Sequence, residues 1–299
     1  TSTWGGATTS RRVNRGAPQG GILSPVLFNL VMNSLIELNN NRKHCEHVNY
    51  YVYADDLAMI VQGEDYRSAV RITNFELNKL DRWAKSHSLT FSPAKTKALL
   101  FYHKIPPLRL PLKLRGQVIE WETEIKYLGV IIDNKLKWKA HLEYIYKKCL
   151  GTLFQMKKIV GATWGTSPTV TNMIYNCIVK PALLYGVVAW YKCLKKVTYL
   201  KKLQKIQAQA CRLILGVQRS TPVAAMEVIL NLRPLEIEAE SKALLAAGRL
   251  RRCQDWRLDL DDNRPTTARI IENKINDKYA FLNLPTTFTN KNICHTFFE

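Results

Sequence analysis

The sequence predicts an α+β protein in two parts: an antiparallel sheet with packed helices, followed by an all-α, strongly basic region. Three observations carry this. Up to residue 132 the apolar residues fall mostly in short alternating or β-rich runs between Gly, Pro and Asp turn signals, as strands do. Beyond Asp133 the apolar period changes to that of amphipathic helices. The charge is also uneven, since residues 133–219 hold sixteen Lys and Arg against two acids, +14 of the chain's +20.

Length and composition narrow the class. A chain of 299 residues with 46% hydrophobic residues can bury a sizeable core, as two domains or one large domain with extensions. A balance of 44 Lys and Arg against 24 Asp and Glu favours polyanions, either nucleic acid or an acidic membrane surface. The longest apolar run, Ala182 to Tyr191, is about half of the ~20 residues that span a bilayer. There is no secretory signal, so an intracellular protein of nucleus or cytoplasm, with no membrane partner, is expected. The seven cysteines are scattered with no Cys-x-x-Cys pair, which reads as reduced thiols rather than structural zinc. The chain begins at Thr1 inside a motif-bearing region, as a fragment of a longer polypeptide would.

In chain order, a polar start with Arg11, Arg12 and Arg15 leads into Gly16-Ala17-Pro18-Gln19-Gly20-Gly21. These glycines let the backbone approach a ligand or take positive φ, though a loop-to-helix turn needs glycine for steric reasons alone. Ser24-Pro25 then opens a helix as N-cap and first residue, with Leu27, Leu30, Val31, Ser34, Leu35 and Leu38 expected on one face. The loop is neither a Walker A motif nor a Rossmann fingerprint. Next, His47 to Val61 reads as two β-rich strands meeting at a turn that carries Asp55 and Asp56. Adjacent carboxylates repel, and a divalent cation relieves that repulsion; an exposed Asp-Asp turn without a ligand fits the hairpin equally well. Hard oxygen donors of this kind suit Mg²⁺.

Taken together, Pro18-Gln19-Gly20, Leu23-Ser24-Pro25 and Phe28, followed by Tyr53-Ala54-Asp55-Asp56, resemble the palm of reverse transcriptases, above all those of non-LTR (LINE-type) retrotransposons of the jockey and R1 kind. The resemblance covers roughly residues 10–250. It implies a partial polymerase palm followed by a helical thumb. Gly16, Pro18, Gln19, Gly20 and Tyr53 would contact template and incoming nucleotide, and Asp55 and Asp56 would bind catalytic Mg²⁺. The implied partners are an RNA template, a DNA primer and deoxynucleoside triphosphates. Viral RNA polymerases more typically carry Gly-Asp-Asp where this chain has Ala54-Asp55-Asp56, and group II intron maturases or telomerase explain the later helices less well.

After the hairpin, residues 66–88 predict a helix with Ala69, Ile72, Leu77, Leu80, Trp83 and Ala84 inward. Leu89 to Phe101 reads as strand, turn, strand. Within it the resemblance identifies Lys95-Thr96 with a motif whose lysine sits near the triphosphate, although Ser92 and Ala94 depart from the family pattern there; a plain surface lysine also fits. Residues Leu112 to Ile119 are expected to pair with Ile125 to Ile132. Tyr127-Leu128-Gly129-Val130 resembles the family's primer-side hairpin, and a bulge would explain Gly129 as well.

In the second half one helix is expected through Leu142, Ile145, Cys149, Leu153, Met156 and Ile159. A second runs from Ser167-Pro168 through Val170, Met173, Ile174, Cys177 and Ile178 to a break at Pro181. A third carries Leu200, Leu203, Ile206, Ala210, Leu213 and Ile214 and ends at Gly216. From Lys192 to Arg219 there are eight basic residues and no acid, so Lys195, Lys196, Lys201, Lys202 and Lys205 are candidate contacts to a nucleic-acid backbone. A merely solvated helix face gives the same pattern. Trp138, Trp164 and Trp190 are expected to help fill the core. The expected domains are 1–132, 133–252 and a linker or tail over 253–299.

Two functions follow. The first is a reverse transcriptase fragment using two-metal nucleotidyl transfer, inactive alone because the family's upstream acid has no counterpart among residues 1–15. The second is a non-catalytic nucleic-acid binder derived from such an element.

Overall fold

The structure, a computed structural model, describes residues 2–4, 7–9, 20–40, 48–101, 109–161, 164–252, 270–271 and 273–274. It divides into two compact units, residues 1–123 and 124–299. The mixed α+β class is observed. The loop residues Gly16, Pro18 and Gln19 lie outside the described residues, as does the expected tail over 253–299 apart from residues 270–271 and 273–274.

The first unit opens with a small antiparallel hairpin, β1 (Ser2–Trp4) and β2 (Ala7–Thr9). Helix α1 (Ser24–Asn40) follows, then the antiparallel pair β3 (Val48–Tyr53) and β4 (Asp56–Val61). Helix α2 (Tyr66–Ser86) starts at Asp65, whose Oδ1 accepts the Ser68 N–H at 2.6 Å while Ser68 Oγ accepts the Asp65 N–H at 3.2 Å. This reciprocal cap satisfies two of the backbone donors a helix start leaves open. Short strands complete the unit: β5 (Ala98–Leu99) runs parallel to β8 (Trp121–Glu122), and β6 (Leu112–Leu114) pairs with β7 (Gln117–Ile119).

Helix α2 organises this unit because it buries two faces. Leu80, Trp83 and Ala84 pack on Met32 and Leu35 of α1 and on Tyr50, Val52 and Leu57 of the hairpin. Tyr66, Val70 and Leu77 pack on Leu112, Leu114 and Ile119. Polar links fix the same contacts: Trp83 Nε1 donates to Ser34 Oγ at 3.0 Å, and Tyr50 Oη donates to the buried Glu76 carboxylate at 2.5 Å. Helix α1 turns differently from the expected stripe. Phe28, Met32 and Leu35 face the core, while Leu27, Leu30 and Val31 are exposed, Leu30 at 65%. A single run with apolar residues on two sides of a helix gives no periodicity that selects between them.

The second unit begins with β9 (Glu124–Tyr127) and β10 (Val130–Asp133), an antiparallel pair. The expected pairing of residues 112–119 with 125–132 is therefore replaced by two local hairpins. Their turns explain it. Arg115-Gly116 and Leu128-Gly129 both take positive φ at both positions (54° and 79°, 45° and 81°), the arrangement that matches strand twist in a two-residue turn. Gly129 is thus a turn residue rather than a bulge. Likewise Leu89 to Phe101 forms a strand only at Ala98–Leu99, because Leu89 and Phe91 turn in beneath α2.

Helix α3 (Lys139–Lys158) buries Leu142, Ile145, Cys149, Leu153 and Met156, as the periodicity predicts, whereas Ile159, at its C-cap, is exposed. Asp133 sets its start, Oδ1 accepting from Trp138 N at 2.7 Å and Oδ2 from Lys137 N at 2.9 Å. Val130 and Ile132 of the β9–β10 pair pack against the helical core, which is why the units divide at 123 and not where the apolar period changes. Helix α4 (Pro168–Ile174), a π-turn (Tyr175–Val179) and α5 (Lys180–Leu183) run on continuously. Their buried face is Thr171, Tyr175, Val179 and Leu183, whereas Val170, Met173, Cys177 and Ile178 are exposed. A strict four-residue repeat drifts off a 3.6-residue helix, and the wider π-turn absorbs the drift. The expected break at Pro181 is not observed: Pro181 falls in the turn that follows the π-turn, and the helix runs through it to end at Leu183.

Helix α6 (Val187–Trp190), a 3₁₀ turn (Tyr191–Lys195) and α7 (Val197–Leu215) follow, with Gly216 at φ 65° ending α7 as expected. Two further helices, α8 (Val223–Ile229) and α9 (Leu235–Arg252), close the core. Trp138 and Trp190 are buried there, while Trp164 is exposed. Among the described residues no single helix is long and apolar enough to cross a membrane. A bent pair, Pro168–Leu183 and Val187–Lys195, passes on length and composition, yet its Tyr175, Val179, Leu183, Val187 and Trp190 fill the protein core.

Candidate functional site

Strand β3 alternates cleanly. Val48, Tyr50 and Val52 turn inward, and Tyr51 and Tyr53 are exposed at 53% and 65%. Tyr53 pairs with Asp56, leaving a two-residue turn of Ala54 and Asp55. Ala54 takes φ 51°, a left-handed conformation that a Cβ disfavours. The turn projects both carboxylates into solvent, clear of the apolar layer beneath. Among the described residues no group of three His, Cys, Asp or Glu side chains gathers around them. The donor set still fits a hard cation: Mg²⁺ takes one or two carboxylates and completes its shell with water and phosphate oxygens, which an exposed pair admits.

The other candidates of this unit stand apart from the acids. Lys95 is exposed on a turn held by Ser92, whose carbonyl accepts from Lys95 N at 3.2 Å, Thr96 N at 3.1 Å and Thr96 Oγ1 at 2.8 Å. Gly20 is exposed just before α1 at φ 86°, with open space where a Cβ would stand. The structure thus unites Tyr53, Asp55 and Asp56 on one turn; among the described residues no hydrogen bond or ion pair ties Lys95 to them.

In the second unit, Lys195 and Lys196 precede α7, and Lys201 and Lys205 lie exposed one helical turn apart. Lys202 differs from them. It forms an ion pair with Glu143 of α3 and lies over the Tyr146 ring at 5.7 Å, and that bond holds the Glu143 carboxyl below its usual range.

Sequence reasoning missed a recess beside the β9–β10 turn. It is about 290 Å³, lined by residues that include Gly129, His141, Tyr144, Lys148, Ala182 and Tyr185. Tyr185 Oη donates to Leu128 O at 3.0 Å, and Lys126 Nζ donates to Tyr144 Oη at 3.0 Å while lying over the same ring. His141 is 1% exposed, edge-on to Trp138 and Trp190 at 6.2 and 5.8 Å between ring centroids. Its Nδ1 accepts the Ile131 N–H at 3.2 Å, which fixes the proton on Nε2, a buried donor with no partner among the described residues. Burial pushes the imidazole pKa down to about 4. One signal was present in the sequence, a histidine set on the apolar face of α3, but periodicity cannot tell a packed histidine from a working one.

The comparisons with known proteins extend over both units. Residues 2–132 match the reverse transcriptase (RNA-dependent DNA polymerase) family. The chain is 25% identical over 234 residues to the putative 115 kDa protein in the type-1 retrotransposable element R1DM of Drosophila melanogaster, covering 78% of this chain and 22% of that protein. It is 26% identical over 241 residues to the Pol polyprotein of the R1 element of Bradysia coprophila, covering 79% and 23%. With the RNA-directed DNA polymerase of the mobile element jockey of Drosophila funebris it shares 25% identity over 205 residues, covering 68% and 22%. The chain therefore spans under a quarter of the length of these relatives, and the likeness runs past residue 132 into the helical unit. No solved structure matches it significantly. With the motif-bearing first unit inside the family match and both retrotransposon lineages among the relatives, residues 2–132 are similar to reverse transcriptases, and the chain as a whole is similar to proteins of the R1 and jockey retrotransposons.

Proposed function

We propose that this chain supplies the later palm and the thumb of an RNA-directed DNA polymerase that copies an RNA template onto a DNA primer. The observation that carries the reading is the two-acid turn. It presents adjacent carboxylates on a hairpin that is otherwise apolar beneath, at a strained Ala54, inside the segment matching the family. Asp55 and Asp56 would hold Mg²⁺, whose chemistry there is activation of the primer 3′-hydroxyl and stabilisation of the leaving pyrophosphate. Lys95 neutralises triphosphate charge. Gly16, Pro18, Gln19, Gly20 and Tyr53 position template and nucleotide, and Lys195, Lys196, Lys201 and Lys205 hold the phosphate backbone. Such a protein works inside the cell, in nucleus or cytoplasm.

The test is RNA-templated DNA synthesis by an element polyprotein carrying this segment. Asp55→Asn should abolish synthesis without weakening template–primer binding, and synthesis that survives the substitution overturns the metal assignment. The purified 299-residue chain alone should extend a primer negligibly, because its two acids form only part of a two-metal cage. Robust Asp55-dependent synthesis by that chain would refute this. The second reading, a non-catalytic binder, draws on the same missing third ligand among the described residues. It predicts that the longer protein binds nucleic acid in a salt-dependent way yet makes no DNA.

A further inference from the structure

We propose that the recess between the β9–β10 turn and helices α3 and α5 binds one unpaired nucleobase together with its adjoining phosphate. This rests on the reading of the chain as part of a template-copying polymerase, and it adds a place where one base leaves the stack.

Four properties of the recess select that ligand. Its volume of about 290 Å³ is at the small end of ligand pockets, roughly 300–1,000 Å³, which suits one base and excludes a duplex. Tyr144 and Tyr185 supply aromatic walls, each oriented by the hydroxyl bond that ties it to Lys126 or to Leu128 O. Such rings stack on any base. Lys126 and Lys148 add positive charge beside Tyr144, where a phosphate attached to the stacked base is neutralised. The fourth property is His141. His141 lines the recess, and with Nδ1 bound to Ile131 its remaining polar group is the Nε2 donor, which is buried and lacks a partner among the described residues. Base edges carry acceptor nitrogens and carbonyl oxygens that take such a donor. An apolar ligand leaves the histidine unmatched, and a simple anion makes no use of the tyrosines. A nucleotide uses the aromatic walls, the donor and the lysines together.

The test is fluorescence anisotropy at low salt with the 299-residue chain, using a labelled single-stranded oligonucleotide and the same strand built from abasic units. The two strands carry equal charge. The intact strand should bind at least about fivefold more tightly, as stacking of one base allows. Ala182→Leu, which fills the recess, and Tyr185→Leu, which removes an aromatic wall, should each bring the intact strand down to the abasic affinity. His141→Asn keeps an acceptor for Ile131 and should weaken only the intact strand. Circular dichroism and unchanged duplex binding establish that each variant is folded. Equal affinities for the two strands in the unsubstituted chain overturn the recess and leave the polymerase reading standing. So does a base preference that persists in both leucine variants. Failure to bind either strand overturns both readings.

Discussion

His141 must stay neutral to do what the fold asks of it, because its Nδ1 lone pair receives the Ile131 N–H and apolar rings flank it on two sides. In the folded chain its pKa is about 4, below the ordinary histidine value of 6.5, so on acidification the unfolded chain takes up the proton first. The resulting stability is complete above the unfolded pKa and is lost as pH falls towards the folded one, about 2 kcal/mol of it by pH 5. Urea unfolding at pH 7 and pH 5 should therefore show His141→Asn losing less stability on acidification than the parent chain; equal losses would contradict the buried neutral ring. Ala54 is the second residue under local tension. A left-handed alanine costs roughly 1–2 kcal/mol, partly balanced on substitution by the greater freedom of unfolded glycine. Ala54→Gly should raise the unfolding free energy by up to about 1 kcal/mol, and a lower value would mean that the methyl makes contacts that outweigh the strain.

Among the elements, α3 and α7 show how far a charge pattern can be read without a structure. The sequence puts Lys201, Lys202 and Lys205 in one uninterrupted basic run, yet Lys202 is turned to Glu143 on the neighbouring helix while Lys201 and Lys205 face solvent. Charge reversal should separate them. Lys201→Glu and Lys205→Glu should weaken nucleic-acid binding and each reduce the salt dependence by about one phosphate contact. Lys202→Glu should chiefly lower stability, through its new repulsion from Glu143; a loss of binding as large as that at Lys201 would make all three equivalent. The same limit governed the helices themselves. The apolar face of α3 was legible because its spacing follows 3.6 residues throughout. The face of α4 was misread because Thr171 and Tyr175, which are buried, look less apolar than Met173 and Ile178, which are not. Tyr175 enters the core because its hydroxyl reaches Gln207 at 2.8 Å, a partner 32 residues away that no local pattern announces. The two-acid turn was visible for the opposite reason, since strands, turn and carboxylates lie within fifteen consecutive residues. The His141 recess was not visible, since its walls come from residues 128–148 and 181–185.

Over the whole molecule the dominant physical fact is one-signed charge: residues 133–219 carry +14, and among the described residues the ion pair within that segment is Glu143 at Lys202. Self-repulsion of that size destabilises a compact state, and it is screened over about 10 Å at 0.1 M salt. Thermal unfolding should therefore shift upward as salt rises from low to moderate concentration, the reverse of a chain held by surface ion pairs. A polyanion bound to the folded lysine face would relieve the repulsion more directly, and the counterions it releases favour that binding at low salt. At a hundredfold excess over its dissociation constant an oligonucleotide should add about 2.7 kcal/mol, or roughly 5–10 °C for a unit of this size. That gain should vanish at high salt, where the bare chain is already at its most stable, so the two effects run in opposite directions along one salt series. Differential scanning fluorimetry with and without a single-stranded oligonucleotide reads both. An oligonucleotide shift that persists at high salt would place recognition outside the lysine face. No shift at any salt would mean that the basic helices are a solvated surface and nothing more.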